Sequence, residues 1–225
     1  MHHYYLGASL LEYEGLKIRW LGHSSFKISD GKVIYIDPYN VKPASPADLI
    51  LITHEHFDHC SLEDVKKLLK QNTIIITTSQ AKNKLQPIDA EILVISPGKS
   101  YSVDGVTVEA VPAYNVNKFR SPGVQYHPKK DGIGFIVTID GKRIYHAGDT
   151  DFIPEMKDIT SIDIAMVPIS GTYVMTAEEA AEAVDAINPR IAIPMHIGTL
   201  LGSEKDSYRF QKLASTEVEI LEEEK

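Results

Sequence analysis

Cysteine occurs once in the 225 residues, at Cys60, so no disulfide can form within the chain and nothing points to an oxidising compartment. No apolar run approaches the ~20 residues that a membrane span requires. The opening MHHYYLGASLLEYEG lacks the basic stretch and apolar core of a signal peptide. These absences imply a cytoplasmic protein. Basic residues are outnumbered, 23 Lys and Arg against 31 Asp and Glu. The net charge of −8 argues against general binding to nucleic acid or anionic membranes. No G-x-S-x-G elbow, Walker loop or G-x-G-x-x-G occurs, so a serine-elbow mechanism and nucleotide binding lack their signatures. Length is not scarce: a chain of this size buries roughly 70–75% of its unfolded surface and needs no metal merely to hold a core.

The chain reads most simply as one domain over residues 1–225, with 1–15 as an N-terminal appendage before the first clear strand, LKIRWLG at 16–22. SFKIS and KVIYID follow around an Asp30-Gly31 turn. ADLILIT (47–53) is continuously apolar, as a strand covered on both faces would be. Ser61 and Asp64 resemble a capping box opening the helix LEDVKKLLK, and TIIITT (73–78) returns as a strand. The order recurs later. IDIAMVPIS (162–170) is a buried strand, Thr176 and Glu179 cap AEEAAEAVDAI, Asn188-Pro189 ends that helix, and RIAIPM is again a strand. Between the two units lie hairpin-like strands, VTVEAVPA and GIGFIVTI-DG-KRIYHAG. Two βαβ-like units with antiparallel strands attached predict two sheets packed together with helices outside.

What is abundant is histidine in one place. LILITHEHFDHCSLEDV packs His54, Glu55, His56, Asp58 and His59 into the loop between a strand ending at Thr53 and the helix capped by Ser61. The C-terminal end of a strand is where α/β sheets usually place their chemistry. The spacing differs from H-E-x-x-H, so a zincin helix is not indicated. Converging neutral imidazoles and a carboxylate suit Zn²⁺ or another borderline dication. Two further strand ends supply matching residues: RIYHAGDTD with His146 and Asp149, where Gly148 permits a sharp turn, and IAIPMHIG with His196.

The order H-x-H-x-D-H (His54, His56, Asp58, His59), then Gly148-Asp149, then a strand-end His196 resembles the metallo-β-lactamase superfamily. WLGHSSFKI and YHAGDTD are similar to its lactonase and lipid-phosphodiesterase-like branch. The resemblance spans about Leu16 to Leu201. It implies an α/β fold, a four-layer αβ/βα sandwich of two mixed sheets with helices outside, holding a metal pair in the cleft at the sheet edges. Carried over by residue, His54 and His56 hold one ion, Asp58, His59 and His196 hold the second, and Asp149 bridges them. One histidine of that pattern is missing, because Tyr114 or Asn115 of VPAYNVN stands in its place. His127 is the nearest histidine, either a ligand reaching in or an exposed loop residue. His23 is a candidate substrate-side contact, Asp37 either supports a ligating histidine or makes an Asp-Pro turn, and His146 neighbours the site. Cys60 reads as a small buried residue opening the helix. Tyr114, Asn115, Lys118, Arg120 and Tyr173 are candidate cleft residues, with Lys118 and Arg120 able to meet an anionic substrate group.

The expected activity is hydrolysis of a small ester, lactone or phosphodiester by hydroxide on one or two Zn²⁺ ions, with Mn²⁺ or Fe²⁺ as other occupants. Asp58, His59 and Asp149 are the residues expected at the reacting centre, and the partner is a small molecule. The alternatives are an iron-dependent redox protein and a non-catalytic metal-binding module of the same fold.

Overall fold

The computed structural model describes residues 9–42, 45–198 and 200–224, and in it the apolar segments build two seven-stranded sheets. The first follows chain order: β1 (Leu11–Tyr13), β2 (Leu16–Gly22), β3 (Ser25–Asp30), β4 (Lys32–Ile36), β5 (Leu49–Ile52), β6 (Ile74–Thr77) and β7 (Glu91–Val94). Next come β8 (Ser100–Val103) and β9 (Val106–Ala113), then a separate hairpin of β10 (Phe119–Ser121) and β11 (Val124–Gln125). The chain continues with β12 (Gly132–Ile139), β13 (Lys142–His146), β14 (Ile164–Pro168), β15 (Ile191–Met195) and β16 (Glu217–Val218). The second sheet has the order β16-β15-β14-β13-β12-β9-β8.

Each sheet is half antiparallel and half parallel. Strands β1 to β4, and the series β8, β9, β12, β13, pair antiparallel. Their tight turns at Glu14-Gly15, Asp104-Gly105 and Asp140-Gly141 have positive φ at both residues, the hairpin geometry whose twist matches that of the strands. Strands β4 to β7 and β13 to β16 pair parallel. Their crossovers carry α1 (Leu62–Leu68), α2 (Ser79–Lys84), α3 (Ala177–Ile187) and α4 (Glu204–Leu213), with a 3₁₀ turn at Pro154–Asp158.

Side-chain alternation shows how the layers stack. Ile34, Ile36, Leu49 and Leu51 share a core with Val108, Phe135 and Ile144 of the second sheet. Their neighbours Tyr35, Ile50 and Ile52 pack instead with Val65 and Leu68 of α1 and Ala81 of α2. On the far side, Ala180, Val184 and Ile187 of α3 and Phe210 of α4 join the larger core. The result is the predicted sandwich of helices, sheet, sheet and helices. Each fully buried Ile or Leu contributes about 1.5–3 kcal/mol, so α1 is anchored by apolar packing and not by the loop it follows.

Local signals play out with two differences. The Thr176–Glu179 capping box forms in full, and Asn188 ends α3 in the left-handed region at φ 54°. Ser61 caps α1 by accepting from the Asp64 N–H, but the Asp64 carboxylate accepts from the Ser61 hydroxyl and the N–H groups of Asn40 and Val41, so the reciprocal bond of a capping box to the Ser61 N–H does not form. Within the segment expected as an appendage, Leu11–Tyr13 is the edge strand β1, paired with β2; residues 1–8 lie outside the described part. No helix among the described residues is long and apolar enough to cross a membrane.

Candidate metal centre

Both sheets converge at one edge. Thr53, just after β5, accepts through its carbonyl from the Ile133 N–H of β12. Beside it Gly148 turns the chain after β13 at φ 65°, and a Cβ there would lie 2.6 Å from the Ile133 carbonyl oxygen. Only glycine fits this crossing, and the turn delivers Asp149 into the gap between the sheets. His196 leaves β15 at φ 59° and His23 leaves β2 at φ 52°, and the His196 N–H donates to the His23 carbonyl at 2.9 Å. The loop after Thr53 supplies the rest.

The donor atoms gather into two clusters with a carboxylate between them. In the first, His54 Nε2 and His127 Nε2 lie 3.1 and 3.2 Å from His56 Nδ1. In the second, His23, Asp58, His59 and His196 each bring a ligand-type atom within 4.8 Å of the others. Asp149 touches both: Oδ2 lies 3.3 Å from His127 Nε2 and 3.1 Å from His196 Nε2, and Oδ1 lies 3.3 Å from His59 Nε2. Of the residues expected at the site, all six core ones are brought together: His54, His56, Asp58, His59, Asp149 and His196.

Hydrogen bonds behind the rings fix which nitrogen faces inward. Thr53 Oγ1 donates to Asp37 Oδ2 and therefore accepts from His54 Nδ1–H, at 2.9 Å. Asp37 Oδ2 accepts from His59 Nδ1–H at 2.8 Å. Asn115 Oδ1 accepts from His127 Nδ1–H at 3.1 Å. Ser170 Oγ donates to the Thr172 carbonyl and accepts from His196 Nδ1–H at 3.0 Å. In all four rings the proton is on the outer Nδ1, so the inner Nε2 carries a lone pair. Such backing contacts typically orient and tune metal-binding histidines.

These residues fit a metal ion. Lone pairs of His59 and His196 point at an acceptor carboxylate, and His59 Nε2 and Asp149 Oδ1 are buried with no hydrogen-bond partner. That arrangement calls for positive charge among the atoms, which a metal ion supplies. With Zn–N bonds of about 2.0–2.1 Å, two nitrogens on a tetrahedral ion stand ~3.3 Å apart, close to the 3.1 and 3.2 Å spacings in the first cluster. An all-nitrogen-and-oxygen donor set suits zinc and its borderline neighbours.

Protonation follows the same layout. Burial holds His54 well below its ordinary value and brings His127 down to about 4, leaving both neutral. Burial raises Asp58, but the hydrogen bond from His23 and the nearby His59 outweigh it and bring the carboxyl down to about 2. Burial opposes charge on His59 too, yet the Asp149 and Asp37 carboxylates lift it well above its ordinary value. The same negative charge that favours a second proton on His59 favours a dication at its Nε2 instead, with the ring neutral.

Several expected cleft residues do other work. Asn115 is fully buried behind His127 and does not itself reach the cluster as a ligand; its amide is spent on His127, Asp151 and the Tyr173 carbonyl. The Tyr114 hydroxyl points away and donates to Glu155. Lys118 is committed to Glu179. His146 donates or accepts at both ring nitrogens within the core, with the Ser24 carbonyl and the Gly148 N–H. Cys60 packs beneath α1 and α2, and burial pushes its thiol up to about 12. Asp37 is a support for His59 and Thr53, not merely a turn. Sequence reading missed Thr53 and Ser170, which act only through neighbours brought close by folding. A cavity of about 270 Å³ beside the first cluster is lined by His54, His56, His127, Arg120, Tyr126 and Asp131 among others.

Comparison with known proteins agrees with this geometry. Residues 17–196 match the beta-lactamase superfamily domain. A UPF0173 metal-dependent hydrolase of Thermoplasma acidophilum is 36% identical over 215 residues, covering 90% of this chain and 92% of that one. A relative from Archaeoglobus fulgidus with the same description is 34% identical over 209 residues, covering 88% and 90%. Among solved structures, a candidate metal-dependent hydrolase of Parabacteroides distasonis has a TM-score of 0.82 at 34% identity, covering 97% of this chain and 100% of that one. A metallo hydrolase of Ignicoccus hospitalis has a TM-score of 0.75 at 25% identity, covering 93% and 96%. The match extends over nearly the whole of both partners, and the chain belongs to the beta-lactamase superfamily and, within it, to the UPF0173 metal-dependent hydrolases.

Proposed function

We infer that this protein hydrolyses a small ester, lactone or phosphodiester at a two-ion centre. His54, His56 and His127 would hold one ion, Asp58, His59 and His196 would hold the other with His23 beside Asp58, and Asp149 would be shared. The observation that carries the reading is the contact of Asp149 with both clusters. Zinc is the first choice, with Mn²⁺ or Fe²⁺ next. A dication held there would supply Lewis-acid polarisation of the scissile carbonyl or phosphoryl oxygen and would acidify water to a pKa of about 7.

The chain's own groups do the rest. Asp37, Thr53, Asn115 and Ser170 keep four imidazoles in the tautomer that presents Nε2. Asp58, ionised and held by His23 at 3.0 Å, is an acceptor at the second cluster. The cavity beside the first cluster has room for a small substrate and places Arg120 and Tyr126 along it. WLGHSSFKI and YHAGDTD support the lactonase and lipid-phosphodiesterase-like branch as the nearest activity. A non-catalytic module loses its motive, because His127 stands beside His54 and His56 where an imidazole was missing from the pattern.

We take residues 1–225 as one domain, supported by Leu16 and Leu221 sharing a core and by the Glu224 N–H donating to the Trp20 carbonyl. The single free, buried Cys60 supports the cytoplasm as its compartment. The test is a screen of zinc-loaded protein against lactones, carboxylic esters, thioesters and phosphodiesters, with elemental analysis alongside. One class should turn over, with activity lost in His54→Ala and His196→Ala together with bound zinc. Full zinc content in both variants would refute the assignment.

A further inference from the structure

We propose that Asn115 is a positioning residue that installs His127 in the first metal cluster, so that an imidazole from the β10–β11 hairpin serves a place at the end of β9. The inference rests on the metal-centre reading above. Asn115 is the second residue past the end of β9, whereas His127 comes after a hairpin twelve positions later; the link between them is built almost entirely by one residue.

Every polar atom of Asn115 is engaged. Its backbone N–H donates to the His127 carbonyl at 2.8 Å, and its carbonyl accepts from the Gln125 side-chain amide. Oδ1 accepts twice from His127, from the backbone N–H at 2.8 Å and from ring Nδ1 at 3.1 Å. Nδ2 donates to Asp151 Oδ1 at 3.2 Å and to the Tyr173 carbonyl at 2.8 Å. The last pair decides the amide's orientation. Both partners are acceptors, so the NH₂ must face them and the oxygen must face His127. An oxygen there accepts a proton from Nδ1 and leaves the lone pair on Nε2, the atom 3.2 Å from His56 Nδ1.

Asp151 anchors the arrangement in turn. Its Oδ2 accepts from the N–H groups of Val116 and Asn117, at 2.7 and 3.0 Å, so the turn after Asn115 is held rigidly. Aspartate could accept from His127 but could not donate to Asp151 or Tyr173, and it would set two buried carboxylates against each other. Asparagine alone among the twenty residues combines an acceptor and two donors at this length.

Metal titration by calorimetry, with Co²⁺ absorption as a second readout, tests the role in the full chain. Asn115→Ser should weaken the first ion by about 10- to 100-fold, the usual cost of losing such a support, and leave the second within a few-fold. His127→Ala should remove the first ion, and adding Asn115→Ser to it should change nothing further. Equal weakening of both ions, no weakening in Asn115→Ser, or an additive effect in the double variant would overturn the positioning role. If His127→Ala binds both ions like wild type, the ligand assignment of His127 itself falls, and the proposal with it. A measurement without substitution guards against variants that fail to fold. ¹⁵N NMR of the zinc-loaded wild type should show His127 protonated at Nδ1 and coordinated through Nε2, and the reverse pattern refutes the proposal.

Discussion

Asp37 and His59 are joined by a 2.8 Å hydrogen bond from ring Nδ1 to carboxylate Oδ2, with both side chains wholly buried. The same oxygen accepts from Thr53 Oγ1 at 2.7 Å, and Thr53 Oγ1 accepts from His54 Nδ1. One carboxylate oxygen therefore sets the tautomer of a histidine in each cluster. It sits outside both.

Asp37→Asn is the informative change, because Asn tolerates the left-handed backbone that Asp37 adopts at φ 46°. With the Thr53 N–H still bound to the amide oxygen, the amide NH₂ faces Thr53 Oγ1 and His59 Nδ1. Both histidines then move their protons to Nε2. Affinity for both ions should fall by about 10- to 100-fold, read as two weakened steps in a zinc titration. Two wild-type steps would show that Asp37 does not control the rings.

Gly148→Ala probes the crossing of the sheets. The left-handed backbone alone costs about 1–3 kcal/mol for a residue with a side chain, and the new methyl meets the Ile133 carbonyl at 2.6 Å. The variant should unfold at lower denaturant than wild type, and metal binding should weaken because Asp149 is displaced. Wild-type stability with wild-type zinc content would mean that the turn relaxes freely.

The parts legible in the sequence were those with a strong local signal. Buried runs such as Leu49–Ile52, the Thr176–Glu179 box and the dense histidine loop carry their structure in adjacent residues. The elements missed lie where little is buried. β8 is an edge strand exposed at three of four positions, and α4 buries only Ser207 and Phe210, too thin a stripe to show a helical period. The site was half legible for the same reason. His54, His56, Asp58 and His59 are local, whereas the role of His127 depends on a hairpin folding over and on Asn115 catching it. No spacing rule encodes that contact.

Acid stability should depend on Glu179. Burial raises its carboxyl, but hydrogen bonds from Asn117, Lys118 and the Thr176 N–H outweigh it and hold it below the ordinary 4.5. A depressed folded value contributes stability that is present above the unfolded value and lost as pH falls through the folded one. Glu179→Gln should therefore be less stable than wild type at pH 7, and the gap should close as pH drops below about 4.5. Chemical denaturation across that range measures it. A gap constant with pH would assign the loss to the cap geometry and not to the charge.

Asp149 places its carboxylate against both clusters, so its loss should differ in kind from the loss of any single histidine. His127→Ala touches the first cluster alone and His196→Ala the second, while Asp149→Ala withdraws Oδ2 from His127 and His196 and Oδ1 from His59 together. Zinc bound per chain should fall further in Asp149→Ala than in either histidine variant. Turnover should drop by more than the roughly 100-fold ceiling typical of supporting residues. The fold should persist, because two apolar cores hold the sheets and helices together and a chain of this size does not need an ion to fold. With the ions chelated from both proteins, the midpoint of thermal unfolding should differ by only a few degrees, where ~1 kcal/mol corresponds to about 2–4 °C. Near-normal turnover in Asp149→Ala would place the reacting centre elsewhere, and a collapse of the chelated variant would make Asp149 a structural residue first.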